Sequence, residues 1–275
     1  MIRLDELLCG GAFRLFEGER LDIRHTEPAP LVAAGAPKLS VVVAPDAAAS
    51  LVLLYDRPLE ASVEVELGRD AHLELCVLFT AEAFVEVEVR QQGRRECHLT
   101  TLQLAGSNLV CRVRLQEPGA SNTLHGAFLA GAGEHCVADI RIDHAVSDCR
   151  SESCVKGVAS GDGVGEFRGL VYVAPDAQRT DARQTSRNVV LGDAARITTR
   201  PQLEIYADDV KCSHGSRWDS LMNRPCSTCS SAASAAKRHR CCSSSLLRAK
   251  SSTPSPWRPC ATACTIWWRS VSVAS

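Results

Sequence analysis

An alternation of apolar and polar residues through the middle of this chain limits what it can fold into. It is clearest in five segments, SVEVEL (62–67), HLELCVLF (72–79), FVEVEV (84–89), LVCRVRL (109–115) and CVADIRI (136–142). A period of two residues is that of a half-buried β-strand, whereas an amphipathic helix has a period of 3.6 residues. Helical periodicity is almost absent between Leu39 and Tyr206. We therefore predict a mainly β protein.

The spacing of these strands narrows the fold further. Short strands of this type recur about every 10 to 13 residues, separated by turn residues such as Gly68-Arg69-Asp70 and the glycines of 131–133. That rhythm fits a β-sandwich or a stacked β-solenoid. No Asn-Gly or Asp-Gly hairpin signal joins these strands, although the Gly-Arg-Asp link leaves a hairpin open at that point. We favour a right-handed parallel β-helix, a solenoid whose open ends must be capped or paired.

Composition divides the chain into a body and a tail. Residues 1–216 hold 22 Lys+Arg and 31 Asp+Glu, while residues 217–275 hold 9 and 1, together with all four Trp and six of the 14 Cys. The body is thus acidic and the tail basic. We assign an N-terminal segment (1–36), a β-helix scaffold domain (37–215) and an aberrant tail of low complexity (216–275), which we expect to be disordered.

The location of the protein is constrained by its apolar runs. No run approaches the 18 or so uninterrupted apolar residues of a membrane span. The N-terminal sequence MIRLDELLCGG carries acids where a secretory signal would need an apolar core. We therefore expect a cytoplasmic protein with no membrane partner, in which the eight cysteines of the body are reduced thiols.

A thiol and an imidazole lie two residues apart in PQLEIYADDVKCSHG (201–215). In a strand, Cys212 and His214 would point to the same side. They are soft donors of the kind that suits iron or sulfur. Because a four-coordinate site needs four ligands, the remaining ligands would come from another strand, a cofactor or a partner chain. The neighbouring Asp208 and Asp209 could help to hold iron, but consecutive carboxylates more often cap a turn.

The same segment carries a family resemblance. Together with AQRTDARQTSRNVVL (177–191) and SESCVKGV (151–158), it resembles the SufB/SufD scaffold proteins of iron–sulfur cluster assembly, with the SufD branch the closer match. The resemblance implies a β-helix that is not an enzyme and pairs with a SufB-like subunit. It also implies a transient, nascent iron–sulfur cluster shared with that partner, and none bound by this chain alone. His214 matches the histidine of the family's CSHG motif, which is implicated in cluster building, and Cys212 matches its cysteine.

The tail allows three interpretations. CSTC at 226–229 suggests zinc ligands and KRHR at 237–240 suggests nucleic-acid binding, but a zinc ribbon needs paired CxxC elements and only one is present. Reading permissible codons for Trp218 onward from their third base gives GQPDESALFYLQQ. That sequence resembles the C-terminal helices of the SufD branch. We therefore interpret the tail as an out-of-frame remnant of a helical domain, and we expect no nucleic-acid partner.

The interpretation of the tail as an out-of-frame remnant changes which partner proteins we expect this chain to bind. In the resembled family the C-terminal helical region docks the SufC ATPase, so the altered tail puts SufC docking by this chain in doubt. No P-loop is present, so any ATP use must come from a partner. An alternative function is that of an exported β-helix polysaccharide lyase or hydrolase, which would need clustered acids or an Arg/Lys base on one face of the solenoid.

Overall fold

The computed structural model describes residues 12–93 and 96–220, and every regular element in them is a β-strand. The odd-numbered strands are β1 (Arg14–Phe16), β3 (Leu31–Ala34), β5 (Ala48–Tyr55), β7 (His72–Phe79), β9 (Glu96–Gln103), β11 (Ser121–Ala130), β13 (Arg150–Ser160), β15 (Thr180–Leu191) and β17 (Val210–Ser220). The even-numbered strands are β2 (Arg20–Ile23), β4 (Lys38–Val43), β6 (Leu59–Leu67), β8 (Ala83–Gln91), β10 (Ser107–Leu115), β12 (His135–His144), β14 (Val164–Val173) and β16 (Arg196–Ile205). Within these residues no helix has the length and hydropathy needed to cross a membrane.

Successive strands alternate between two parallel sheets. The odd-numbered strands form a nine-stranded sheet, which we call sheet A, and the even-numbered strands form an eight-stranded sheet, sheet B, each in order of their numbers. Each coil of the chain therefore adds one strand to each sheet, which is the topology of a parallel β-solenoid. The predicted fold class is confirmed. The turn at 68–70 is not a hairpin, because β6 and β7 belong to different sheets.

Strands occupy the sequence from residue 14 onward, so β1, β2 and β3 lie within the segment 1–36 that we separated from the scaffold domain. The described strands fall in one compact unit, 14–222. The tail interpretation concerns residues that lie almost wholly outside the described part of the chain.

Inward-facing residues stack in rows that run along the solenoid. In one row of sheet A, successive strands place leucines in register, at Leu31, Leu51, Leu75, Leu99 and Leu124. Each of these leucines is at most 1% exposed. Full burial of a leucine side chain contributes about 1.5–3 kcal/mol. Apolar rows of this kind form the main hydrophobic core.

The corners that lead from sheet B to sheet A use left-handed backbone conformations. Asp46, Asp70, Asp148 and Arg179 have φ values of 57° to 61°. Aspartate tolerates this region better than most residues, but arginine does not. Arg179 is held there by two hydrogen bonds of 2.6 Å from its guanidinium to the carboxylate of Asp148, one coil earlier.

One histidine is enclosed in the core. His144 is 0% exposed, its Nε2 lies 2.8 Å from the Ser151 hydroxyl, and its Nδ1 has no hydrogen-bond partner among the described residues. Burial lowers the pKa of His144 to about 4, because the charged ring would lose its hydration. The folded protein therefore holds this ring neutral under conditions in which an unfolded chain would protonate it.

This difference predicts an acid-sensitive fold. The unfolded chain binds a proton at His144 near pH 6.5 and the folded chain only near pH 4. As pH falls through this window, the free energy of unfolding should decrease by about 3 kcal/mol at most from this group. Denaturant titrations between pH 7 and 4 should show a shallower pH dependence for His144→Gln than for the wild type.

The exposed His25 provides the matched control. His25→Gln should retain the wild-type pH dependence. Equal pH dependence in the His144→Gln variant and the wild type would contradict the assignment.

Candidate functional site

The predicted thiol and imidazole lie on β17, the last strand of sheet A. Cys212 is in register with Ala182 of β15, and His214 is in register with Gln184. Ala182 and Gln184 are both buried in the interior, at 0% and 2% exposure. Residues in register on parallel strands point to the same side of a sheet. Cys212 and His214 therefore share one side, as expected, and that side is the inward one.

Contacts across the solenoid support the inward orientation of the Cys212 and His214 side chains. The Ser216 hydroxyl, two residues after His214, lies 3.0 Å from the Thr199 hydroxyl of β16 in the opposite sheet. Cys212 packs against a small apolar cluster that includes Val173, Ala182 and the half-buried Leu203. The inward face of β17 thus closes the last coil against sheet B, and His214 lies between these two contacts along the strand.

The last coil is open at its end. Val173 of β14 is 0% exposed, whereas Ile205, which is in register with it one coil later on β16, is 38% exposed. The next residue, Tyr206, is 60% exposed although its ring lies 5.7 Å from that of Tyr172. Among the described residues, no strand pairs with the outer edge of β16 in sheet B or of β17 in sheet A. Inward-facing groups of this coil are accordingly accessible, and His214 is exposed.

The Cys212 thiol is only partly accessible, and its environment sets its proton affinity. Burial raises its pKa above the ordinary value, with a smaller contribution from the charge of Asp181 and an opposing one from a backbone hydrogen bond at Ala182. A cation that binds Cys212 must therefore displace a firmly held proton, since thiolates are the binding form.

The acidic turn before β17 has a structural role. The backbone N–H of Asp209 donates a 2.9 Å hydrogen bond to the Gln178 side-chain oxygen, and the Asp209 carbonyl accepts a 2.6 Å bond from the Arg179 N–H. Within the described ranges, no three His, Cys, Asp or Glu side chains are placed to hold a metal ion together. The Cys212/His214 pair would therefore need ligands from outside these residues.

Among the described residues, the other cysteines and histidines do not converge on this site. His144 faces the interior, Cys149 lies at the corner between β12 and β13, and Cys154 is a half-buried residue of β13. His125 of β11 is in register with Cys154, on the outer face of sheet A. His135 lies 3.4 Å from Glu166 on the outer face of sheet B.

The outer face of sheet A beside the site is basic. Lys156, Arg187 and Arg217 are in register on β13, β15 and β17. Like charges in register on adjacent strands repel each other. This row contrasts with the acidic composition of residues 1–216, and it gives the end of the solenoid a local positive charge.

Sequence reasoning missed a polar row inside the solenoid. Ser153 and Gln184 continue the row of leucines described above and lead directly to His214. Both side chains are at most 2% exposed. The signal was present in TDARQTSRN (180–188), where every second residue should be apolar for a buried strand but Gln, Ser and Asn occur instead.

The geometry defines a class of protein: a parallel β-solenoid with a thiol and an imidazole at an end that no other strand of the described residues covers. The model of the SufBD core domain, of the SUF system for FeS cluster assembly, matches residues 26–223. Because this match covers most of the chain, the protein belongs to the SufBD family of the iron–sulfur cluster assembly system.

Individual relatives agree with the family. The chain is 40% identical over 114 residues to the iron–sulfur cluster assembly protein SufD of Escherichia coli, covering 41% of this chain and 27% of that protein. It is 33% identical over 119 residues to a SufBD family protein of Mycobacterium leprae, covering 40% and 30%. A SufBD family protein of Synechocystis is 57% identical over 49 residues, covering 18% and 11%. These matches span less than a third of each relative's length.

The open end predicts which cysteines react. Burial raises the pKa of the Cys111 thiol to about 12, and Cys97 and Cys111 are at most 1% exposed. Cys212 is half-buried beside the opening. Iodoacetamide should label Cys212 at least about a hundredfold faster than Cys97 or Cys111, because the buried thiols react only after local unfolding. Peptide mass spectrometry of the full chain measures the rates.

Denatured protein is the control for this labelling, since all cysteines should then react at similar rates. Labelling of Cys212 in native protein at the slow rate of Cys97 would show that the end is closed.

Proposed function

We propose that this chain is a SufD-like scaffold subunit that builds nascent iron–sulfur clusters with a SufB-like solenoid and a SufC-like ATPase. The observation that carries the proposal is the placement of Cys212 and His214 side by side on the exposed end of the solenoid. Family membership favours this function over that of an exported β-helix lyase or hydrolase.

The chemistry of the two side chains fits this role. Thiolate and imidazole are ligands that iron accepts, and thiolates also bind iron–sulfur clusters. Two ligands from one chain hold a cluster incompletely, which suits a product that must be released. The cluster is here the cargo of the scaffold, and the remaining ligands come from the partner.

The end of the solenoid is suited to pairing with a second solenoid. The outer edge of β17 is free of a neighbouring strand within residues 12–93 and 96–220, and unpaired edges of this kind accept another strand. The exposed Ile205 and Tyr206 add apolar surface beside that edge. A SufB-like chain that docked here would cover the last coil and bring its own ligands to Cys212 and His214.

The proposed function also requires a reducing compartment and a source of ATP hydrolysis. We place the activity in the cytoplasm, because the site needs a reduced Cys212 thiol. ATP hydrolysis is assigned to the SufC-like partner. We expect its docking to require the helical region that the tail (216–275) encodes in the alternative frame, a region almost wholly outside the described residues.

The experiment is cluster assembly in the reconstituted complex. We expect the frame-restored chain to co-purify with SufB-like and SufC-like partners, and the chain with its present tail to lose the SufC-like partner. In the restored complex, His214→Ala should reduce cluster formation about tenfold or more, because a ligand is lost. Cluster formation is measured by iron and sulfide content and visible absorption.

The matched control is His135→Ala, which removes another exposed histidine, on the outer face of sheet B. It should leave both complex formation and cluster content at wild-type levels. A His214→Ala complex with a wild-type cluster content would refute the site.

A further inference from the structure

The row of inward residues that ends at His214 changes its chemistry along the solenoid. Five leucines occupy its positions on β3 to β11, and Ser153, Gln184 and His214 occupy the last three. Leucine would fill these later positions at lower cost, since buried polar groups need hydrogen bonds that an apolar side chain does not. The polar residues begin only two coils before the open end.

The two buried members of this polar stretch have no visible partners. Neither the amide nitrogen nor the amide oxygen of Gln184 has a hydrogen-bond partner among the described residues, and the same holds for the Ser153 hydroxyl. Gln184 is 2% exposed and Ser153 1%. Buried side-chain polar groups in proteins are nearly always hydrogen-bonded, to protein or to ordered water.

Space for the Gln184 amide is provided by the opposite sheet. A Cβ atom on Gly169 of β14 would overlap the side-chain nitrogen and carbon of this amide. The glutamine side chain therefore reaches across the interior to the backbone of sheet B. Gly169 and Gln184 lie at the same level of the solenoid, and the absence of a side chain on Gly169 leaves room for the amide. Packing alone would not require this pair of residues.

Gln184 is also next to the candidate site. It lies on β15 in register with His214 of β17. Neighbouring strands are about 4.8 Å apart, which is close enough for one water molecule to join the two side chains. Ser153 lies in register on the other side of Gln184, on β13, and is therefore two strand spacings from His214.

We propose that Gln184 is a positioning residue for His214. A water molecule held by the Gln184 amide hydrogen-bonds one ring nitrogen of His214. That bond fixes the tautomer and the orientation of the imidazole, so that the other ring nitrogen is directed to the opening. This role rests on the proposed function of His214, because an oriented ring matters when the ring is a ligand.

The test compares histidine tautomers in the full chain. Gln184→Met keeps the length of the side chain and removes both hydrogen-bonding atoms. Nitrogen-15 NMR of the His214 ring in mildly alkaline buffer gives the ratio of the two neutral tautomers. We expect one dominant tautomer in the wild type. In Gln184→Met the tautomer ratio should shift about fivefold toward that of free histidine.

Asn188→Leu is the matched control. Asn188 lies on the same face of β15, its side-chain oxygen also has no hydrogen-bond partner among the described residues, and it is in register with residue 218 rather than with His214. Asn188→Leu should leave the tautomer ratio of His214 unchanged. A wild-type ratio in Gln184→Met would overturn the proposal.

Melting temperatures separate positioning from packing. Gln184→Met should melt at or above the wild-type temperature, because a buried amide without protein partners is replaced by an apolar group of similar shape. A large fall in melting temperature would show that the amide is structural and would overturn the proposal. The tautomer is measured without any partner, so an altered ratio in Gln184→Met would stand even if His214→Ala left cluster assembly intact.

Discussion

The structure depends on the in-register stacking of parallel strands, by which each coil covers the coil before it. Stacking joins backbone groups in hydrogen-bonded ladders and buries the inward side chains of one coil beneath those of the next. An inward-facing side chain is therefore covered most fully where another coil follows it. The contrast between Val173 at 0% and Ile205 at 38% exposure shows how abruptly this cover ends. Accessibility of His214 follows from its position in the last coil, with no special loop or cleft.

The interior divides into an apolar part and a polar part. Leucine rows such as that of Leu51 and Leu75 make the early coils strongly hydrophobic, whereas His144, Ser153 and Gln184 make the late coils polar. The apolar coils stabilise the solenoid, so the late coils can tolerate buried groups that weaken it. This division places the least favourable interior next to the candidate site, where natural proteins often accept a loss of stability for function.

The sequence was sufficient to predict most of the fold. The alternation in 62–67 and 72–79 predicted strands that the structure contains in β6 and β7, because each strand has one face in the core. β15 was harder to recognise, since polar residues occupy its inward positions as well as its outward ones. A solenoid could be favoured over a sandwich, but the register between coils could not be read from one chain.

The candidate site was predicted only in part. A spacing of two places Cys212 and His214 on one side of a strand, but it does not say whether that side faces the interior or the solvent. The structure shows that they face inward at an uncovered end. Gln184 could not be assigned from the sequence, because its relation to His214 depends on the pairing of β15 with β17 over about 30 residues of separation.

We propose that a SufB-like partner docks at the open end of the solenoid. Amide hydrogen exchange of the frame-restored chain, with and without that partner, tests it most directly. We predict that binding protects the backbone amides of residues 210–217 in β17. The backbone amides of β6 and β8 should exchange at their unbound rates. Protection confined to the amides of β6 and β8, with those of β17 exchanging at their unbound rates, would contradict docking at the end of the solenoid.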